Sequence, residues 1–485
     1  MPGQKLPVQF LFNDMSSGVM DKIKYTLVPP NSVELAVNFV FDDQIGEAVT
    51  RKGITILGSQ LVGANNPIAG LSFFKKSDGT GKLLSVANNG SNNVTYYYNG
   101  TSWVASTLST DVAGLKTRFE TFLDRIVRLN GNNGVVTSGD GITWSQTATL
   151  DDIHFPNGKY VKVYKAQLCV AGVTGKPDSL FISSVPNAAG TSISWTVNNR
   201  EIVFNPNDGQ SITGLGVVGG QMMVFKDHSM FRWNNRSTDS EAVVEVGCLS
   251  QESIVNCGGS YLAFFNEDGI WLTTGEQPTL ITKRIQKWID GIDPTFYQNV
   301  SAYGDGQYLF MSVGDVTVDD RIYANVVIRY SLNTKEFAIF SYAYEFRFFT
   351  RYIVNGLRQI VAGDSTNRVF QVDSTSNTDN GNPILFIIEG QEVDFGSRGI
   401  SKEVSDQIMA YSKHANKAAV QVLVDGKKWV NIGQIEKEIT NLSLADKNPI
   451  RGNFFKFRIF GSSESDRFRF FGLELPTITL LDYTN

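Results

Sequence analysis

A chain of 485 residues that is 42% hydrophobic and 12% aromatic has the apolar content for a sizeable core, which excludes global disorder. Charged residues reach only 19% and the net charge is −5, so the whole chain advertises no cationic surface for gripping nucleic acid. Its 45 glycines, with asparagine plentiful beside them, suit an all-β protein, because both residues tolerate the positive φ of tight hairpins.

Three cysteines (Cys169, Cys248 and Cys257) are too few and too scattered for a disulfide framework, which predicts synthesis in a reducing compartment. The opening MPGQKLPVQF lacks the charged-then-apolar layout of a signal peptide. No apolar run approaches the roughly 18 residues of a membrane span, so no span is expected. The sequon Asn93-Val94-Thr95 consequently carries no weight.

In chain order, residues 1–52 read as an extended lead-in rather than a domain. Pro29-Pro30 breaks any regular element, and residues 31–41 mix apolar and polar side chains without clear alternation. Residues 53–373 then repeat one pattern: an apolar strand, an Asn/Asp/Gly turn, and a strand carrying an aromatic. Candidate hairpin cores span 70–103, 116–144, 165–195, 214–233, 253–272, 300–340 and 352–372, the first and last being the weakest copies. A hairpin recurring about every 40–50 residues predicts a β-propeller of six to seven blades, with closure by the lead-in left open. Isolated hairpins would leave many strand edges unpaired, whereas stacking around an axis buries both faces of each sheet. Residues 374–383 (STSNTDNGNP) are polar and turn-forming, and read as a linker. Longer alternating strands follow over 384–485, with Asp425-Gly426 as a hairpin turn, and predict a β-sandwich accessory domain.

The search for chemistry yields no catalytic, cofactor-binding or metal-ligating candidate. Ser138-Gly139-Asp140-Gly141-Ile142-Thr143-Trp144 resembles the Asp-box turn of sialidases and other propellers, one residue short of its usual spacing. In that motif the Ser and Asp cap backbone donors and the Trp packs between strands. Gly214-Leu215-Gly216-Val217-Val218-Gly219 matches G-x-G-x-x-G, but Met222-Met223-Val224-Phe225 continues it as a strand rather than the helix a dinucleotide site requires. A turn and close packing are the better reading. His154, His228 and His414 are far apart and lack metal-ligand spacing. Asp78, Asp140, Asp227, Asp268, Asp305 and Asp364 fall in turns, where Asx geometry accounts for them. The aromatic run over 337–349 suits either an outer strand entering the next repeat or a subunit interface.

The lead-in carries a resemblance. Asp14-Met15-Ser16-Ser17-Gly18-Val19-Met20, Leu27-Val28-Pro29-Pro30-Asn31-Ser32, Ala36-Val37-Asn38-Phe39 and Ile45-Gly46-Glu47-Ala48-Val49-Thr50-Arg51-Lys52-Gly53 follow one another in it. Val393-Asp394-Phe395-Gly396-Ser397 with Lys402, then 454–461 leading to Phe471-Gly472-Leu473-Glu474-Leu475-Pro476, lie near the other end. In that order these segments resemble the β-propeller nozzle, or packaged-DNA-stabilising, proteins of short-tailed bacteriophages. The resemblance implies a structural virion protein of the phage tail, assembled in the host cytoplasm, with no enzyme activity and no cofactor. It implies a homo-oligomeric ring, a hexamer in the best-known relatives, below a portal-adaptor ring and bearing tail fibres, spikes or a needle. Double-stranded DNA would pass through the lumen during ejection without specific binding, and an acidic or neutral lumen would keep it mobile. The alternative is a receptor- or polysaccharide-binding propeller of a tail spike or fibre, possibly glycan-degrading.

Overall fold

The computed structural model describes residues 5–21, 29, 31–42, 46–63, 65–107, 111–234, 241–396, 399–405, 407–413, 418–444 and 449–481. Leu27, Val28, Pro30, Ile45, Ser397 and His414 lie outside them. The chain is all-β, built of many small antiparallel sheets with one short α-helix, Gln286–Asp290, among the described residues.

Seven sheets follow one another along the described chain. The first is formed by Gly70–Lys75, Gly81–Asn88 and Asn92–Tyr98, with Trp103–Ala105 and Asp111–Val112 both laid on Asn92–Tyr98. The second is Arg118–Phe122, Arg125–Leu129 and Val136–Ser138. The third is Tyr160–Tyr164, Gln167–Val173, Lys176–Ile182 and Arg200–Val203. The fourth is Ile212–Val218, Gln221–Lys226, Met230–Trp233 and Glu241–Val244. Val255–Cys257, Tyr261–Asn266, Gly269–Thr273 and Thr279–Leu280 make the fifth. The sixth comprises Ser301–Gly304, Tyr308–Val318, Arg321–Ser331 and Phe337–Ser341. In the seventh, Phe346–Val354, Leu357–Asp364 and Val369–Val372 take Thr55–Ile56, from far upstream, as their fourth strand.

Local chemistry explains the repetition. In the second, third, fourth and seventh sheets the first two strands are joined by two residues that both adopt positive φ: Leu123-Asp124, Lys165-Ala166, Gly219-Gly220 and Asn355-Gly356. That loop matches the right-handed twist of the strands it joins. The first strand of each sheet lies against the first strand of the next, and Phe346–Val354 of the seventh lies back against Gly70–Lys75 of the first. Separate apolar clusters fill the gaps between neighbours. Phe74, Leu84, Ile126 and Trp144 sit between the first and second sheets, and Leu215, Val224, Leu180 and Ile202 between the third and fourth. Leu71 and Leu83 meet Phe348 and Val361 between the first and seventh.

The lead-in stitches this array to the rest of the chain. Leu35–Val37 pairs in parallel with Phe337–Ser341 through Val37 and Ile339, and antiparallel with Ile384–Glu389. The sixth sheet thereby continues through Ile384–Glu389, Phe455–Ser463, Ala418–Val424 and Lys428–Ile435 as one nine-stranded sheet. A second layer holds Phe39–Val40, Ala48–Thr50, Arg469–Leu475, Gln407–Lys413 and Ile439–Ser443, with Gln9–Leu11 also on Arg469–Leu475. The two layers share one core, in which Phe386 stacks on Phe468 with centroids 4.9 Å apart and Phe39 meets both rings edge-on. Ser374 and Asp379, in the polar stretch 374–383, are buried, so that stretch is held by polar contacts rather than by an apolar anchor. Within the aromatic run, Phe337, Phe340, Tyr342, Phe346 and Phe348 are buried inside the chain itself, which leaves none of these five rings for a subunit interface. No helix among the described residues is long and apolar enough to cross a membrane.

Candidate functional site

Two places gather charged side chains from many strands. The first is where the leading strands of the sheets meet. This convergence needs small residues: a Cβ on Gly214 would lie 2.3 Å from Ile254 Cδ1, and one on Gly216 2.6 Å from Leu262 Cδ2. The G-x-G pattern is thus a strand whose glycines admit the next sheet. A cavity of about 200 Å³ remains at the centre, lined by Leu71, Arg118, Val161, Glu252, Ala302 and Phe348 among others, from six of the seven repeats. Gln251 ties in the fourth sheet, its side chain accepting from Leu215 N (2.7 Å) and donating to Leu215 O (3.1 Å).

Glu252, carried on the 3₁₀ turn Gln251–Ser253, is the hub of that centre. It accepts from Lys116 Nζ at 3.1 Å and from Arg118 at 2.8 Å. Burial opposes its ionisation, yet the Arg118 and Lys116 charges win and hold the carboxyl down to about 2. Lys116 also donates to Gln298 O at 2.5 Å, and Arg118 to Lys159 O at 3.2 Å while stacking over Tyr160 at 4.7 Å. A carboxylate so completely engaged cannot exchange protons near neutral pH. It ties the leading strand of the second sheet to the turn that precedes the fifth.

The second place is the junction between the lead-in, the sixth sheet and residues 374–383. Arg51 is fully buried and spends its guanidinium on four partners. Nε donates to Asn38 Oδ1 (2.8 Å), Nη1 to Lys52 O (3.0 Å) and Asp379 Oδ1 (2.8 Å), and Nη2 to Ser341 O (2.9 Å) and Asp379 Oδ2 (2.6 Å). Its face lies 3.8 Å over the Tyr342 ring. The fork geometry of a bidentate Arg–carboxylate pair fixes orientation as well as distance. Gly53 is forced here, since a Cβ would lie 2.0 Å from Thr378 O. Beside the junction, Arg329 donates to Asp42 (2.8 Å) and Glu336 (3.0 Å), and the Tyr308 hydroxyl donates to Asp42 at 2.5 Å. Burial first, and the Asp42 carboxylate second, push the Glu336 carboxyl up to about 7.

Comparison with known proteins finds no family model and no curated protein that matches the chain.

The residues singled out in the sequence that are described fall mostly in turns or in the core. Ser138 Oγ accepts from Gly141 N (2.8 Å), and Asp140 Oδ1 accepts from Ile142 N and Thr143 N (both 2.8 Å). Trp144 packs behind them, 6.2 Å from Phe119. Asp305 caps Gln307 N and Tyr308 N, and Asp364 caps Thr366 N and Arg368 N. His154 is exposed beside Asp151, and His228 is exposed 3.8 Å from Glu267. All three cysteines are buried, and burial pushes the Cys248 thiol up to about 11 and the Cys257 thiol up to about 12. Among the described residues no group of three or more His, Cys, Asp or Glu could hold a metal ion. The residues that sequence reasoning passed over are Lys116, Arg118, Glu252, Asp379 and Arg329. Apart from Glu336, seven positions after Arg329, their charged partners are far away in sequence, and no local spacing marks them. Asn38, Arg51 and Gly53 were visible only as parts of the lead-in motif; the structure brings all three to one junction.

Proposed function

We propose that the chain is a structural subunit of a short-tailed bacteriophage tail, in which several copies surround the path of double-stranded DNA. In this reading the seven sheets are the blades of a β-propeller, locked shut by Thr55–Ile56, and the two layers beyond are a β-sandwich. The cyclic succession of leading strands, from Phe346–Val354 back to Gly70–Lys75, supports the propeller. The observation that carries the tail assignment is the junction. Asn38, Arg51 and Gly53, which belong to the segments resembling nozzle proteins, meet at one buried node that joins propeller to sandwich.

The centre of a single chain is not the DNA path. A duplex whose major groove alone is about 12 Å wide does not fit a cavity of about 200 Å³ into which Glu252 and Arg118 project. The lumen therefore lies between copies, and a net charge of −5 per copy adds no phosphate-gripping surface to it. Particles assembled without this protein are expected to fill with DNA and then leak it, and antibody against it should label the tail. Intact DNA retention in such particles, or a purified chain that degrades host polysaccharide, would remove the assignment in favour of a spike or fibre protein.

A further inference from the structure

The charged side chains lining the central cavity are paired, Arg118 with Glu252 and Lys162 with Glu120. A second cavity, of about 270 Å³, opens beside the Arg51 junction, between the lead-in, the sixth sheet and Arg467. Four cations line it, Arg51, Lys52, Arg329 and Arg467, against the carboxylates of Asp42 and Asp373. Arg51 is matched from behind by Asp379.

Arg329 is not matched in that way. Its side chain is 8% exposed, and its hydrogen bonds to Asp42 and Glu336 both leave from Nη2. Nε is buried and meets no acceptor, and among the described residues neither does Nη1. A buried cationic donor without an acceptor forfeits the hydration it had in water, so native structures leave few such groups. The Tyr308 and Phe340 rings, 4.7 Å and 5.7 Å from the guanidinium carbon, face the charge but supply no acceptor oxygen. Asp42 has none to spare, since one of its oxygens accepts from Arg329 Nη2 and the other from the Tyr308 hydroxyl. Glu336 shares Arg329, and its carboxyl is pushed up to about 7, so below that pH it adds little negative charge. At the solvent side Lys52 is 45% exposed, with its ammonium 4.0 Å from the half-exposed Asp373.

We infer that this cavity binds a small oxyanion, of the kind of sulfate or inorganic phosphate, between Arg329 and Lys52. Its oxygens take the unspent Arg329 donors on the inner side and the Lys52 ammonium on the outer, in charge-assisted hydrogen bonds. At about 30 Å³ for each water, the cavity has room for such an ion with part of its hydration shell. Water alone would supply an acceptor but no charge. A metal cation has the wrong sign for this wall, where cations outnumber carboxylates and both Asp42 oxygens are engaged. The ion lies beside Arg51 and Tyr342, and so adds a link to the junction between the sheet array and the outer layers. The site stands whether or not the chain belongs to a tail.

The test is isothermal titration calorimetry of the full-length chain with sodium sulfate at pH 6 and constant ionic strength. The wild type should bind one sulfate per chain. Lys52→Gln should weaken binding roughly tenfold, the worth of one charge-assisted hydrogen bond. Arg329→Lys keeps the charge but removes Nε and Nη1, and should abolish binding, with unchanged near-ultraviolet circular dichroism showing that it folds. If it does not fold, Lys52→Gln decides alone, because that side chain is exposed. Lys75→Gln, at an exposed position of the first sheet, should bind as the wild type does. A short DNA duplex added beforehand should leave the sulfate heat unchanged, since the Arg329 donors lie in a recess that a duplex does not enter. Absence of saturable heat in the wild type would mean that the cavity holds water only and would overturn the site. Equal affinity in the wild type and Lys52→Gln, or equal weakening by Lys75→Gln, would overturn it too. Loss of the sulfate heat in the presence of duplex would assign the donors to backbone phosphate instead of a free ion.

Discussion

Glu336 shows how far one buried charge can set the conditions under which the chain is stable. Asp42 and Glu336 share a single guanidinium, Arg329, and burial penalises both. Asp42 stays below the usual carboxylate range, because the Arg329 charge and the Tyr308 hydroxyl outweigh its burial. Glu336 cannot follow, and its carboxyl sits at about 7 against an ordinary 4.5. The folded protein therefore holds a proton there that the unfolded chain has released. The stabilisation is complete below about pH 4.5 and is lost as the pH rises to about 7. Denaturant titrations of the wild type and Glu336→Gln at pH 5 and pH 8 should differ, with the wild type alone losing on the order of 2 kcal/mol at the higher pH. Equal pH dependence in the two proteins would show that Glu336 ionises normally. Gly216 is a residue-scale constraint of another kind. Gly216→Ala places a methyl 2.6 Å from Leu262 Cδ2 and should lower the unfolding free energy by about 1–3 kcal/mol with no change in secondary structure by circular dichroism.

Between elements, ion pairs recur at the sheet boundaries: Arg128 with Asp111 between the first and second sheets, and Lys162 with Glu120 between the second and third. Lys226, fully buried, joins the fourth sheet to the third through Asp178 (2.7 Å) and Asp208 (2.9 Å) and also donates to Asn205 O (3.1 Å). Lys226→Met would leave two carboxylates facing each other without a cation, at a cost of about 3 kcal/mol. Adding Asp178→Asn and Asp208→Asn should recover part of that loss in a thermal melt. Failure of the triple variant to exceed Lys226→Met would mean that the lysine stem, and not its charge, holds the boundary. These boundaries also show what the sequence could and could not reveal. The hairpin at Asp425-Gly426 is legible because turn chemistry is local: the residues that adopt positive φ are the residues that announce the turn. So is the all-β class, through repeated short strands. The stretch 374–383 reads as a bare linker, since nothing near Asp379 hints at Arg51, 328 positions upstream. Leu35–Val37 is three residues long and buried on every side, too short for any periodicity to declare it a central strand. Glu252 is equally silent, because its meaning comes from Lys116 and Arg118 across the array.

For the whole molecule, continuity of the nine-stranded sheet decides how the chain unfolds. The boundary that composition suggests near 374–383 is crossed by the hydrogen-bonded ladder through Leu35–Val37, which has the sixth sheet on one side and Ile384–Glu389 on the other. The same lead-in supplies Phe39 to the core beneath Phe386 and Phe468, and Ala48–Thr50 to the second layer. A fragment of residues 384–485 would therefore lose a central strand of one layer and an edge of the other, and would expose the Phe386–Phe468 stack. Unpaired strand edges beside an open apolar core favour association over a unique fold. That fragment is expected to bind a hydrophobic dye and to melt without a cooperative transition. The full chain should unfold in a single transition, because neither part can lose the lead-in without unravelling the other. Two separated transitions in calorimetry of the full chain, or a cooperative melt of the isolated fragment, would show that the two layers stand without Arg51, Phe39 and the strand between them. Under the proposed tail assignment the coupling also has a mechanical sense. Strain applied to the outer layers by a neighbouring copy would reach the sheet array through covalent backbone and a bidentate ion pair, rather than through a hinge.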